Sequence, residues 1–422
     1  SGGPGGGGLV ELLGDIVLSH TANEVNVASI CGEGKVIGLY YSAQWCSPCR
    51  AFTPKLIDFY RTYKSQHPDK CFEVVFISSD KSQEEFKEYH DEMPWLALPY
   101  EDRERKAKLS KKYKVQGIPT LVLIDGKTGQ KLTDDGRSAV ASDPEGKDFP
   151  WKPKPFAEVV CGKLINNQKQ EFEASSVLKG CVKGIYFSAH WCPPCKAFTP
   201  DLVETYKKVK EDGKNFEVVF CSSDRMDSSF DEYFETMPWF AIPYKDSRSE
   251  KLKRLFGING IPTLVILDEE DRVITKNGRL ELMRDPEGED FPWLPRPLNE
   301  LNEYVAHQLN VGSCLILFTE GEDEDINMAI DALHDVADEY YEAQKNQEDR
   351  ELSFFYGGDV MCDNLRDFVQ LEDRNPLLVI SDIPEHKVYV SPEMKIDREV
   401  IRSFINQYFS DQLEPRIIKP VL

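Results

Sequence analysis

What the sequence lacks narrows the classes of protein that it can encode. None of its 422 residues lie in an apolar run close to the ~20 residues that a membrane-spanning helix needs. Basic residues are in deficit, because 51 Lys and Arg stand against 73 Asp and Glu, a net charge of −22. Nucleic acids and anionic membranes attract basic surfaces. We therefore expect a protein that binds neither nucleic acid nor membrane.

Nucleotide motifs and a secreted-type cysteine framework are also missing. No GxGxxG or GxxxxGK[ST] motif stands between a strand pattern and a helix pattern, so we expect no tightly bound dinucleotide cofactor. The 11 cysteines are odd in number and sparsely spaced, which favours a reducing compartment and hence the cytoplasm and nucleus. The first residues, "SGGPGGGG", indicate a flexible linker or a cloning remnant rather than a signal peptide, and "IIKPVL" is not an ER-retention signal.

The most informative feature that is present is an internal repeat about one domain long. "YSAQWCSPCR" at residues 41–50 returns as "FSAHWCPPCK" at residues 187–196. In each copy an apolar strand leads into WCxPC, and helix and strand patterns then alternate up to a strand that opens with "GIPT". This alternation is typical of βαβ units, in which helices cover both faces of a parallel or mixed sheet.

Proline-rich tails close both copies, and a degenerate third copy follows. The tails, at residues 143–155 and 285–297, cannot continue a helix or a central strand. "CLILFTE", "LSFFYGGD" and "NPLLVISD" predict three central strands of the third copy, in which "TEGEDED" replaces the cysteine pair. We predict a linker at residues 1–8 and α/β domains at residues 9–156, 157–300 and 301–422, the last without CxxC.

Each cysteine pair is placed to react. Cys46 and Cys192 should lie at the exposed amino end of a helix, where free backbone N–H groups and the helix dipole favour a thiolate. Cys49 and Cys195, one turn further in, should be shielded and able to attack a mixed disulfide. These positions predict thiol-disulfide exchange.

The cysteine spacing disfavours two other uses, a zinc site and a purely structural disulfide. A four-cysteine zinc site also contains CxxC pairs, but they usually lie about 15 to 20 residues apart rather than in separate repeats. A purely structural disulfide across two residues would constrain the unfolded chain little. Redox exchange is therefore the favoured interpretation, and we expect no bound metal.

The "GIPT" segments predict the second half of each site. Pro119 and Pro262 are candidates for cis peptide bonds that enter a strand. Placed beside the cysteines, such a segment would leave Ile118 and Ile261 free to pair with an extended substrate. A trans proline that merely begins an edge strand is the alternative.

These motifs carry a family resemblance. WCxPC after a strand, with a downstream "GIPT" strand, resembles the thioredoxin superfamily, and "MPWLALPY", "MPWFAIPY" and the "DPEG…FPW" tails resemble its tryparedoxin and nucleoredoxin branch. The resemblance implies three tandem thioredoxin-like domains, each a central mixed β-sheet flanked by helices. It also implies protein-disulfide reduction in the cytoplasm and nucleus, with electrons from a thioredoxin-reductase or glutathione system, and redox-dependent binding of signalling proteins such as Dishevelled in the Wnt pathway.

The resemblance also implies a role for individual residues. Many thioredoxins carry a buried acid where this chain has Tyr40 and Tyr186, which leaves the proton carrier unidentified. The implied roles are nucleophile for Cys46 and Cys192, resolving thiol for Cys49 and Cys195, site-flanking residue for Trp45, Pro48, Trp191 and Pro194, and substrate groove with cis-proline for Ile118, Pro119, Ile261 and Pro262.

Two rival functions stay open at this stage. One is an adaptor whose partner binding is switched by oxidation, with catalytic turnover secondary. The other is an oxidase or isomerase of the secretory pathway. We expect Cys221 to be a buried core thiol and His190 at most to modulate its site; the oligomeric state stays open.

Overall fold

The computed structural model describes residues 7–303, 305–344 and 351–419. Within these ranges the chain divides after Pro155 into two compact units. Residues 1–6 of the predicted linker lie outside the described residues, and the first helix begins at Gly7, inside that linker. In the described ranges, no helix combines the length and apolar character that crossing a membrane requires.

The first unit is built on one mixed sheet. Its seven strands run in the order β2-β1-β5-β4-β3-β6-β7, with β3, β4 and β5 parallel and β6 antiparallel to β3. The elements are α1 Gly7–Leu13, β1 Ile16–Leu18, β2 Glu24–Asn26, β3 Val36–Ser42, α2 Ser47–Gln66, β4 Phe72–Ser78, α3 Gln83–Asp91, β5 Leu96–Ala97, α4 Arg103–Lys112, β6 Thr120–Asp125, β7 Lys131–Thr133 and α5 Gly136–Ser142.

Strand β3 is apolar on both faces because helices cover both sides of the sheet. Successive side chains of a strand point to opposite faces. Tyr40 lies in a core cluster with Phe52 of α2, whereas Leu39 lies in a second cluster with Leu109 of α4. The apolar run without polar alternation thus reflects a strand in the middle of the fold. The predicted mixed sheet flanked by helices is confirmed.

The second unit begins with a copy of this sheet, in the order β14-β13-β10-β11-β12-β8-β9. Phe156, predicted to end the first domain, begins its first helix. The elements are α6 Phe156–Val160, β8 Lys163–Ile165, β9 Glu171–Glu173, α7 Ala174–Val177, β10 Val182–Ser188, α8 Pro193–Glu211, β11 Phe216–Ser222, α9 Asp227–Phe234, β12 Phe240–Ala241, α10 Arg248–Phe256, β13 Thr263–Leu267, β14 Val273–Thr275 and α11 Gly278–Arg284.

The degenerate copy forms a third sheet within the same compact unit, in the order β15-β17-β16-β18-β19-β20. Its strands β16, β17 and β18 are the three central strands that the sequence predicts. Strand β15 pairs with β17 although it lies before the predicted boundary at 301. The elements are β15 Leu298–Glu300, β16 Ser313–Phe318, α12 Asp323–Gln344, β17 Ser353–Gly357, α13 Val360–Phe368, β18 Leu377–Asp382, β19 Lys387–Val390, α14 Arg398–Phe409 and β20 Arg416–Ile417.

The proline-rich tails are packed parts of the core rather than loose linkers. In the second tail the carboxylate of Asp285 accepts hydrogen bonds from the backbone N–H groups of Glu289 (3.0 Å) and Asp290 (2.8 Å). It also accepts one from the indole N–H of Trp293 (3.0 Å), whose side chain is 2% exposed. Asp143 makes the same three contacts in the first tail. In each tail, hydrogen bonds to a single carboxylate therefore fix the turn and the tryptophan that follows it.

Asp285→Ala should destabilise the second unit by about 1–3 kcal/mol, because a buried indole N–H then loses its acceptor. Glu289→Ala is the matched control, since it removes an exposed carboxylate of the same tail and keeps the backbone N–H. We expect the control to change stability by no more than about 0.5 kcal/mol. Urea unfolding followed by tryptophan fluorescence measures both, and equal midpoints for the two variants would contradict the assignment.

Candidate redox sites

Both cysteine pairs lie where a central strand passes into a helix. Cys46 follows β3 and caps α2, and Cys192 follows β10 and caps α8. Each capping cysteine forms a disulfide with the cysteine three positions on, and the Cα atoms within each pair are 5.2 Å apart. The backbone N–H of Cys49 points at the sulfur of Cys46, 3.3 Å away. A free N–H at a helix start favours negative charge on that sulfur once the disulfide is reduced.

The two members of each pair differ in burial, but less than expected. Cys49 and Cys195 are fully buried, as the sequence predicts. Cys46 and Cys192, expected at an exposed helix end, are only 7% and 5% exposed. The expectation of open exposure is therefore wrong, and the reason in the first site is that Ile118 packs against the pair. Cys46 and Cys192 therefore keep a small exposed area, whereas Cys49 and Cys195 keep none.

The "GIPT" segments lie beside the cysteine pairs. The Ile118–Pro119 and Ile261–Pro262 peptide bonds are cis, which confirms that prediction. The carbonyl oxygen of Ile118 lies 3.9 Å from the sulfur of Cys46, and that of Ile261 lies 3.9 Å from the sulfur of Cys192. The sheet thus brings together cysteines and prolines that are some 70 residues apart in the chain.

A tryptophan stands in solvent beside each disulfide. Trp45 is 51% exposed, and its indole N–H donates to the carbonyl oxygen of Ser79 (3.0 Å). The turn that carries it is held by Asp80, whose carboxylate accepts from the backbone N–H of Gln44 (2.7 Å) and from the hydroxyl of Ser78 (2.7 Å). Burial raises the pKa of the Asp80 carboxyl. Through its hydrogen bonds to this turn, Asp80 fixes the position of the Trp45 ring beside the disulfide.

The second site repeats this arrangement. The indole N–H of Trp191 donates to the carbonyl oxygen of Ser223 (3.0 Å), and the backbone N–H of His190 donates to Asp224 (2.7 Å). The His190 ring stacks on Tyr233. Sequence reasoning missed Asp80 and Asp224, although "SSD" follows the same strand in both copies.

A chain of buried hydroxyls supports the backbone of Cys49 in the first site. Thr53 donates its hydroxyl proton to the carbonyl oxygen of Cys49 (2.9 Å), so the phenols of Tyr40 and Tyr89, both 2.6 Å away, donate to Thr53. Burial raises the pKa of Tyr40, which keeps this phenol neutral at physiological pH. Tyr40 therefore holds the first turn of α2 as a hydrogen-bond donor and is not a base.

The same chain exists in the second site. Thr199 donates to the carbonyl oxygen of Cys195 (2.9 Å) and lies 2.6 Å from the hydroxyl of Tyr186 and 2.5 Å from that of Tyr233. Burial raises the pKa of Tyr186 as well. Sequence reasoning missed the threonine, although "AFTP" follows both CxxC motifs.

The other cysteines lie apart from these sites. Cys221 is the buried core thiol that the sequence predicts, and burial raises its pKa to about 12. Within the described ranges, no three His, Cys, Asp or Glu side chains are grouped so that they could hold a metal ion. The remaining free thiols are Cys31, Cys71, Cys161, Cys181, Cys314 and Cys362.

Family models agree with this architecture. A model described as thioredoxin-like matches residues 34–130 and 180–273, and one described as thioredoxin-like, C-terminal domain, matches residues 295–353. Together with three helix-covered sheets and two cysteine pairs at strand-to-helix junctions, these matches define a thioredoxin-like protein with two candidate dithiol centres.

One solved structure is similar to part of this chain, and two curated relatives are similar over nearly its full length. Tryparedoxin II complexed with glutathionylspermidine, a solved structure, is 44% identical and covers 34% of this chain and 99% of that chain, with a TM-score of 0.32. Nucleoredoxin of Danio rerio is 44% identical over 416 residues, which are 97% of this chain and 99% of the relative. Nucleoredoxin of Homo sapiens is 40% identical over 434 residues, 98% of this chain and 100% of the relative. The chain belongs to the nucleoredoxin family.

After mild reduction, iodoacetamide should modify Cys46 and Cys192 well before Cys49 and Cys195, because the first two cap helices and are slightly exposed, whereas the other two are fully buried. Peptide mass spectrometry at successive times measures the order. Cys221 is the internal control, since its buried, high-pKa thiol should stay unmodified until the protein unfolds. Equal rates for the leading and following cysteines would contradict the assignment of roles.

Proposed function

We propose that this chain is a protein-disulfide oxidoreductase that works through Cys46–Cys49 and Cys192–Cys195. Membership of the nucleoredoxin family makes it a thioredoxin-like oxidoreductase. The observation that carries the finer proposal is that each pair is already joined as a disulfide at the start of a helix. Such a position favours the leading thiolate and holds the second sulfur within reach of it.

The reaction consists of two exchange steps. The thiolate of Cys46 attacks one sulfur of the target disulfide, the target S–S bond breaks, and one target sulfur leaves as a thiolate. The thiolate of Cys49 then attacks the sulfur of Cys46 in the mixed disulfide and releases the second target sulfur. The target gains two electrons and, with solvent protons, becomes a dithiol, while the centre becomes a disulfide. Cys192 and Cys195 perform the same steps.

Burial separates the two roles. A target sulfur can approach only the leading cysteine, because Cys49 is fully enclosed. The carbonyl oxygen of Ile118, close to the leading sulfur, is placed to accept a hydrogen bond from the backbone of an extended target segment. Thr53 holds the turn that carries Cys49, which keeps the second sulfur at the distance that resolution needs.

The source of electrons and the targets follow from the family resemblance and are part of the proposal. A thioredoxin-reductase or glutathione system would return each centre to the dithiol, with no tightly bound cofactor. The substrates would be protein disulfides, including signalling proteins such as Dishevelled in the Wnt pathway. The proposed location is the cytoplasm and the nucleus.

An insulin-reduction assay with dithiothreitol as electron donor tests the activity. Cys46→Ser and Cys192→Ser should each leave the activity of the other centre, and the double variant should fall to the uncatalysed rate, because no leading thiolate remains. Cys49→Ser protein that has been reduced and then freed of dithiothreitol should accumulate a mixed disulfide with insulin at Cys46, since resolution is lost. Cys71→Ser, at an exposed cysteine outside both sites, is the matched control and should keep the full rate.

Two results would contradict this function. The double variant could reduce insulin as fast as the unmodified protein, which would assign the activity elsewhere. The redox potential, measured by equilibration against glutathione, could also be as oxidising as that of secretory-pathway oxidases. That result would support the oxidase or isomerase alternative.

A redox-switched adaptor is a second candidate function. It is favoured by a cavity in the third copy, which lacks the cysteine pair. A cavity of about 250 Å³ lies at the start of α12, where a cysteine pair would stand in the other copies. Thr319, Asn375 and the 65% exposed Met328 are among its lining residues. A site of this size without a dithiol could bind a partner but could not exchange disulfides.

The adaptor predicts that partner binding and turnover separate. In pull-downs of a candidate partner, Met328→Asp should weaken binding, because it replaces an apolar lining side chain with a third acid beside Glu320 and Asp325, and should leave insulin reduction intact. The Cys46→Ser/Cys192→Ser protein should bind the partner equally well in oxidising and reducing buffer, whereas the unmodified protein should change with redox state. Binding by the unmodified protein that ignores redox state would exclude the switch.

A further inference from the structure

The second centre has a cavity beside its tryptophan. It encloses about 390 Å³ between Trp191, the turn after β11 and the start of α10. Ser222, Ser223, Tyr244 and Ser249 line it. Its volume lies at the lower end of the range of small-ligand sites, about 300–1,000 Å³.

In the first centre an arginine occupies the corresponding place. The guanidinium of Arg103 donates hydrogen bonds to the carbonyl oxygen of Ser78 (2.7 Å) and to that of Tyr100. Its central carbon lies 4.0 Å from the centroid of the Tyr100 ring. The side chain is half-buried, and this burial lowers the pKa of Arg103, while the charges of Tyr100, Asp80 and neighbouring acids oppose that shift.

The two copies can be aligned here by a shared ion pair. Arg105 pairs with Asp102 and also donates to the carbonyl oxygen of Leu12; Arg248 pairs with Asp246 and donates to that of Val160. When these two ion pairs are aligned, the number of residues between the aspartate and the arginine differs between the copies.

The second copy is one residue shorter at this point. Arg103 and Glu104 stand between the members of the first pair, and Ser247 alone stands between those of the second. The next position changes from Lys106 to Ser249. The second copy has therefore lost two long cationic side chains at this corner, which accounts for the cavity.

The groups that hold the guanidinium in the first copy are retained in the second. Ser222 and Tyr244, which line the cavity, stand where Ser78 and Tyr100 stand, so the two carbonyl groups and the ring that hold Arg103 have counterparts here. Asp224, the counterpart of Asp80, also lines the cavity, and its carboxylate accepts from the backbone N–H of His190 and the hydroxyl of Ser222. Carbonyl oxygens, a carboxylate and a ring face all attract a planar cation.

The cationic residues at the rim have partners of their own. Arg225 lies over the Trp191 ring, 5.1 Å from its centroid, and Lys253 pairs with Glu250. Lys245 lies over the Tyr244 ring at 5.7 Å, farther than Arg103 lies from its ring in the first copy. An arriving guanidinium would take the closer position on that ring.

We propose that this cavity binds an arginine side chain of the protein whose disulfide the second centre reduces. The guanidinium takes the place that Arg103 fills in the first centre, with hydrogen bonds to the carbonyl groups of Ser222 and Tyr244. The inference rests on the proposed reductase function and adds a difference in substrate between the two centres. The first centre carries its own arginine and has no such preference.

The test uses the full chain with the first centre silenced by Cys46→Ser/Cys49→Ser. The substrates are disulfide-bridged peptides that carry arginine at successive positions around the cystine, each matched by a peptide with citrulline, which is neutral and similar in shape. At one position arginine should raise kcat/KM roughly tenfold over citrulline, the effect expected of hydrogen bonds from a charged donor.

Two further variants locate the effect. Ser249→Lys restores the side chain of the first copy, and Ser249→Met fills the same space without a charge; each should bring the arginine-to-citrulline ratio close to one. In the chain silenced by Cys192→Ser/Cys195→Ser, Arg103→Ala/Lys106→Ser removes both cationic side chains and should create the preference in the first centre. Circular dichroism checks that each variant is folded, and the two substitutions at 249 provide independent readings.

The outcomes are distinct. Equal kcat/KM for arginine and citrulline at every position would overturn the subsite, as would a higher kcat/KM for the neutral citrulline peptides. Failure to reduce any of the peptides or insulin would instead count against the reductase function itself.

Discussion

Both redox centres depend on a cysteine that caps a helix at the end of a doubly buried strand. Strands β3 and β10 are covered on both faces, and Cys46 and Cys192 follow their ends and cap the next helix. The capping position supplies free N–H groups, and the first turn places the second cysteine in the interior. The reactivity that we propose for the capping sulfur and the burial of the other thus have a single structural cause.

The surroundings of the disulfide are polar, although the core around them is apolar. The hydroxyl chain through Thr53 and the carboxylate of Asp80 hold the turns on either side of Cys46 by hydrogen bonds to the backbone. Buried polar groups of this kind cost stability unless they are satisfied, and here they form closed sets. Their recurrence around Thr199 and Asp224 shows that the whole arrangement was repeated together with the motif.

The three copies use one scaffold for different purposes. The first two retain the dithiol, whereas the third keeps the sheet, and α12 begins in it with acidic residues in place of cysteine. Between the first two, the loss of one residue before Arg248 changes the space beside the tryptophan, while the Cα separation within the disulfide stays 5.2 Å. The difference in substrate that we propose for the two centres therefore requires no change in the disulfide itself.

The sequence by itself determined the repeat, the mixed sheets, the helix start at each cysteine and the facing prolines, because these follow from local patterns and from a motif that occurs twice. It did not determine how far Cys46 is exposed, since a residue some 70 positions away packs over it. Nor did it indicate the roles of Asp80 and Thr53, whose contacts join separate elements. The cavity beside Trp191 likewise required the tertiary structure, because a missing side chain becomes an open volume only when the surrounding turns are fixed in space.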